Sequence, residues 1–202
     1  MGGIDRLLSK SLDATIRDNL GDKAIQKIEN RLFEKYGISL MQSIEQFQKL
    51  DVVLREFFGS GADGLERKFL QNICDVKVVN GLNFISIGNP NLTKIILESF
   101  GDDDKKKILS TLSEHTLITS QIIEKCSIPQ TSGYRKVNSL IDVGLLVPSG
   151  YVTTNDGKKV IKYRSVFDNL KIDIVKNKVT VGVNLVKEDF DESSVLSVCT
   201  QA

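Results

Sequence analysis

Between Pro129 and Gly144 the chain presents two chemically opposed faces at helical spacing, and this division limits how the segment can fold. Gly133, Val137, Leu140, Ile141 and Gly144 fall four, three, one and three residues apart, an apolar stripe that a helix must bury. The other side carries Thr131, Tyr134, Arg135 and Asn138, with Gln130, Ser132 and Lys136 beside them and no acid before Asp142. A glycine within a buried stripe costs roughly 1 kcal/mol of helix propensity relative to alanine. Gly133 is therefore expected where a neighbouring helix approaches closely.

The flanking sequence supplies the neighbours. Ile108, Leu109 and Leu112 mark a preceding helix. Thr119 is placed to cap a short second helix that buries Ile122, Ile123 and Cys126. Ser127-Ile128-Pro129-Gln130 reads as a tight turn, with Pro129 suited to a helix start. Beyond Gly144, Tyr151–Thr153 and Val160–Tyr163 read as strands around the turn Asn155-Asp156-Gly157. Helix, helix, turn, helix and hairpin in that order define a winged helix domain over residues 104–167.

Residues 1–75 read as a bundle of four amphipathic helices. Ile4, Leu8, Leu12, Ile16 and Leu20 share one face of the first. Asp22 and Ser39 are candidate caps for the second and third, and Gly37 and Gly59 are stops. The third is expected to run from Met41 to Phe57 without a break. Residues 76–103 form a connector: a short hairpin around Asn80-Gly81, then a helix capped by Asn91. Residues 168–190 form a second hairpin. A two-residue turn at Lys176-Asn177 sets Ile174 against Val179, Ile172 against Val181 and Leu170 against Val183. This hairpin is expected to extend the wing sheet or to pair with another subunit. Residues 191–202 read as a mobile tail. The fold class is thus mainly α with small β: an N-terminal helical bundle, a winged helix-turn-helix domain and a C-terminal β-hairpin.

Composition narrows the function. Hydrophobic residues are 41% and charged residues 26%, as in ordinary soluble chains. No apolar run reaches the roughly 18 residues of a membrane span. Met1-Gly2-Gly3-Ile4-Asp5-Arg6 has no secretory pattern, and Arg6 stands where a myristoylation motif has Ser or Thr. Cytoplasmic localisation is expected. Cys74, Cys126 and Cys199 are too scattered for a disulfide framework or zinc cluster, and the single histidine, His115, falls in a turn. Asp102-Asp103-Asp104 reads as a helix cap with solvated charge rather than a cation site. No phosphate-cradling Gly motif, nucleophile elbow or zinc-protease motif is present, so neither an enzyme nor a cofactor is expected. The formal net charge is +1, yet residues 104–164 carry a local net of +5. That excess is the footprint sought in a DNA-binding module.

These residues assign candidate roles. Gln130, Thr131, Ser132, Tyr134, Arg135 and Asn138 are candidate base readers in a major groove. Thr119, Ser120, Lys136, Lys158, Lys159, Lys162 and Arg164 are candidate phosphate or wing contacts. One such module buries too little surface for tight binding, so a homodimer on double-stranded DNA is expected. The stretch Ile118–Ile123 with Ile128–Leu146 resembles archaeal winged helix regulators related to the ArsR class. Ile28–Leu40 resembles a helical output-type domain attached to such regulators in ammonia-oxidising archaea. The resemblances imply a cytoplasmic transcription regulator whose N-terminal domain senses, dimerises or docks a protein partner. Metal sensing by clustered Cys or His does not carry over. The alternative is a signalling adaptor whose two parts both bind proteins.

Overall fold

In a computed structural model the chain is mainly helical, with two small antiparallel sheets among the described residues. The structure describes residues 3–71, 73–79, 82–154, 157–185 and 187–200. The expected turns at Asn80-Gly81 and Asn155-Asp156, and the Met1-Gly2 start, lie outside them.

The N-terminal helices are α1 (Gly3–Leu20), α2 (Asp22–Tyr36), α3 (Leu40–Ile44), α4 (Phe47–Phe58) and α5 (Gly61–Gln71). Gly21, not Asp22, occupies the N-cap of α2, and Gly37 ends that helix in the left-handed region at φ 66°. Ser39 caps α3 in a capping box with Gln42. The expected third helix is broken. Gln46 leaves helical geometry at φ −132°, ψ 56°. The buried Phe47 N–H then donates 3.0 Å to Ser194 Oγ. A partner distant in sequence thus satisfies the donor that the break frees.

The chain continues through β1 (Cys74–Val79), β2 (Leu82–Ile87), α6 (Pro90–Gly101) and α7 (Asp103–Glu114). Asn89 rather than Asn91 caps α6, accepting from Asn91 and Leu92 N–H with Pro90 in the first turn. Asp102 ends α6 and caps α7, accepting from Lys105 N–H at 2.9 Å. Next come β3 (Leu117–Ile118), α8 (Thr119–Lys125), α9 (Gln130–Asp142), β4 (Leu146–Thr153) and β5 (Lys159–Ser165). The sheet order is β3-β5-β4. Thr119 is the first residue of α8, not its cap. The Ile118 N–H ahead of it is taken by Gln121 Oε1 at 3.3 Å.

The last elements are β6 (Phe167–Val175), β7 (Lys178–Leu185), α10 (Lys187–Asp191) and α11 (Ser194–Thr200). Lys176 and Asn177 both take positive φ, 48° and 62°, and the strand register agrees with the expected one at all three apolar pairs. The docking of this hairpin differs from expectation. It does not extend the β3-β5-β4 sheet; β7 pairs with β2, giving the order β1-β2-β7-β6. Gly182 makes room there, since the Phe84 ring occupies the space a Cβ would need. The hairpin also stops at Leu185, and α10 follows.

The expected mobile tail is a correction too. Val195 and Leu196 of α11 are fully buried. Asp5 of α1 supplies the cap: its carboxylate accepts from Ser193 Oγ, from Ser194 N–H at 3.0 Å and from Val195 N–H at 3.4 Å. A carboxylate at a helix N-terminus is also favoured by the helix dipole. Gly3, Asp5, Ser9 and Ser11 are buried along with the apolar residues of α1, so the first half of that helix meets solvent only along the line of Arg6 and Lys10. One hydrophobic core runs from Ile4 to Leu196, across the sequence division at residue 75.

Between α4, α5 and α11 lies a cleft of about 410 Å³ lined by Asp51, Arg55, Asp63, Glu66, Arg67 and Ser194, among others. Glu66 is only 2% exposed, and its Oε1 has no hydrogen-bond partner among the described residues. Burial, followed by the Asp51 carboxylate hydrogen-bonded beside it, pushes the Glu66 carboxyl up to about 8. The neutral form is therefore favoured by folding. Its stabilising contribution is complete below the unfolded value of 4.5 and is lost as pH rises through about 8. Burial also raises Asp5 and Asp189, which act in the same direction. Thermal melts between about pH 5 and pH 9 isolate the Glu66 part by difference. Glu66→Gln is expected to flatten the decline in Tm that the parent shows across that window.

Candidate nucleic-acid interface

The helix α9 is fixed by its buried side. Gly133, Val137 and Leu140 are buried, and a Cβ on Gly133 would stand 2.7 Å from Ile123 Cγ1 of α8. Glycine at 133 thus permits the close α8–α9 approach anticipated from the stripe. The opposite face is open. Gln130, Thr131, Tyr134, Arg135 and Asn138 are exposed, Tyr134 at 45%. No acid interrupts this face before Asp142. Arg135 has no ionic partner among the described residues. Ser132 is set back: it is half-buried, and its hydroxyl donates 3.0 Å to the Pro129 carbonyl. Pro129 gives α9 no side-chain cap, so the first N–H groups of the helix keep their capacity for an external acceptor.

Two residues expected to hold phosphate are engaged internally. Lys136 Nζ reaches Asp102 Oδ1 at 2.7 Å and Asp104 Oδ2 at 2.8 Å, with its side chain 18% exposed. Its hydrogen bonds hold the Asp102 carboxyl below the usual carboxylate range. Position 136 borders the buried stripe, which turns the lysine toward the α6–α7 junction rather than outward. Arg164 pairs through Nη1 with the nearly buried Asp189 carboxylate of α10. It ties β5 to α10, so its guanidinium is held inside the molecule.

The remaining candidates lie along β3, β5 and the start of α8. Lys158 and Lys159 are exposed where β4 connects to β5, Lys159 being the Cα partner of Thr153. Lys162 is the Cα partner of Ile118, which places it beside Thr119 and the exposed Ser120. Lys159 and Lys162 are roughly 10 Å apart along one strand and, three residues apart, project from opposite faces of the sheet. Lys162 with Thr119 and Ser120 forms one group that can meet phosphate, and Lys158 with Lys159 near the β4–β5 connection a second.

One exposed residue on the hairpin was not assigned a role from sequence. Tyr151, 69% exposed, faces Ile161, 36% exposed, across β4 and β5. The register shift between Pro148 and Tyr151, with Gly150 at φ 83°, re-aims this pair. The signal available in the sequence was Gly150 preceding an aromatic in a strand otherwise facing water. Such a ring can pack on sugar or base faces. His115 is exposed at the C-terminal cap of α7.

Comparison of the chain with protein-family models, with curated proteins and with solved structures finds no match.

Proposed function

We propose that residues 104–167 form a winged helix that binds double-stranded DNA and that the chain is a transcription regulator. The observation carrying this reading is the exposed, acid-free donor face of α9, held in place by a buried stripe. Arg and Gln side chains there can take guanine and adenine edges in a major groove. Lys158, Lys159, Lys162, Thr119 and Ser120 supply contacts that carry affinity without sequence preference. The N-terminal helices serve as the sensing or docking part, and cytoplasmic placement follows from the regulator role.

Selection of the purified chain against a pool of random duplexes at two salt concentrations tests the reading. An enriched motif is expected, with log affinity falling linearly against log salt. Lys158→Ala with Lys159→Ala should weaken binding to all sequences alike and lower the salt slope by roughly 1–2. Salt-sensitive binding with no motif would refute sequence-specific regulation.

A second reading, a protein-binding adaptor, is favoured by one observation in the helical part. Phe57 and Phe58 are 44% and 37% exposed beside a cleft lined by Lys23, Ala24, Lys27 and Ile28. Protein partners recovered free of nucleic acid, and insensitive to changes on α9, would support it.

A further inference from the structure

Among the described residues β6 is the outer strand of its sheet, hydrogen-bonded to β7 on one side only. Phe167 at its start is buried and Leu170 half-buried, but the apolar side chains toward the turn are uncovered: Ile172 is 37% exposed, Ile174 68% and Val175 65%. Lys171 and Asp173 alternate with them, and their side chains meet at 3.1 Å with 70% and 50% exposure. A long apolar edge of this kind is a template for another strand.

The turn fixes which backbone groups that edge offers. The two positive-φ residues Lys176 and Asn177 make the hairpin a two-residue turn, across which Val175 and Lys178 pair. Narrow, doubly bonded pairs alternate with wide ones in an antiparallel ladder. Val175, Asp173 and Lys171 therefore spend their N–H and C=O groups on β7. Leu170, Ile172 and Ile174 aim theirs outward.

We infer that β6 pairs antiparallel with β6 of a second copy of this chain, about a two-fold axis through Ile172. That register is self-complementary. Ile172 faces the partner copy's equivalent position, Leu170 faces position 174, and Lys171 faces the carboxylate at position 173. The outward N–H and C=O groups of 170, 172 and 174 meet their counterparts directly. The two symmetry-related charge pairs fall at the wide, non-bonded positions, where side chains stand closest. One face of the joined sheet is then continuously apolar. Any other register of even offset loses the charge match, and an odd offset sets outward groups against inward ones. This pairing requires no DNA and stands apart from the reading of α9.

Sedimentation of the full chain without DNA tests it. The parent is expected to be dimeric. Lys171→Asp and Asp173→Lys should each weaken the dimer roughly tenfold or more, because two opposite-charge pairs become like-charge pairs. An equimolar mixture of the two variants should restore the dimer, since each supplies the charge the other lacks. Ile172→Pro removes an outward N–H and no hydrogen bond to β7, along with a side chain that is 37% exposed. It should abolish the dimer while leaving the thermal melt of the monomer cooperative. A parent that stays monomeric up to its solubility limit would overturn the pairing. So would a dimer indifferent to both charge variants, or variants that fail to associate when mixed.

Discussion

Gly144→Ala is expected to destabilise the chain by about 2–5 kcal/mol, lowering Tm by roughly 5–15 °C. Gly144 sits at φ +79° between α9 and β4, a conformation that costs a residue with a Cβ about 1–2 kcal/mol. Space adds to the cost. The new Cβ would lie 2.5 Å from Gly3 O and 2.7 Å from Leu7 N, both backbone atoms of α1. Backbone cannot rotate aside as a side chain can, so α1 must move away from the α9–β4 turn. Leu7 and Leu8, buried beneath it, move too. Gly37 provides the control. It also has positive φ, +66°, but nothing lies within 4 Å of its Cβ position. Gly37→Ala should therefore cost only the conformational part, about 1 kcal/mol. Thermal or urea unfolding of the two variants separates strain from collision. Equal losses would show that α1 yields without cost.

Arg135→Ala should weaken binding to a selected DNA motif by about 1–3 kcal/mol, roughly fivefold to 150-fold, and should relax preference at one base position. Tyr134→Ala is expected to act at an adjacent position. Neither change should alter the melt, because both side chains project from α9 into solvent. Lys136→Ala provides the contrast. That lysine pairs with Asp102 and Asp104, so its removal should loosen the α6–α7 junction while leaving base preference unchanged. Competition binding with single-base variants of the motif reads the first effect, and thermal melts read the second. Unchanged preference after both Arg135→Ala and Tyr134→Ala would remove α9 from base reading.

Local periodicity made much of this legible. The stripe on α9 and the β6–β7 register follow from spacings of 3.6 and 2, which a sequence displays directly. Gly133 announced a close approach because glycine inside a buried stripe has few other uses. The missed features are those whose partners lie far along the chain. The sheet that receives β7 is chosen by β2, and only Gly182 opposite a large ring hinted at a close neighbour. Lys136 and Arg164 looked like surface cations because their acids sit on other elements, Asp102 and Asp189. The helix break before Phe47 depends on Ser194, which leaves no trace in the local pattern. Helix α11 is short, and its N-terminus is capped by Asp5, which the sequence shows only as a polar position in the first turn of α1.

That contact between Asp5 and Ser193 also imposes an order of events on biosynthesis. The two residues are 188 positions apart, so the Asp5 carboxylate waits for its partner until those intervening residues have left the ribosome. Until then Asp5 stays hydrated, and the seam it will occupy is open. Closing a loop of this length adds little entropy beyond that of a shorter one, but it favours a late and comparatively slow step. The nascent helices can form as they emerge, while this seam closes only after Ser193 has followed Asp5 out.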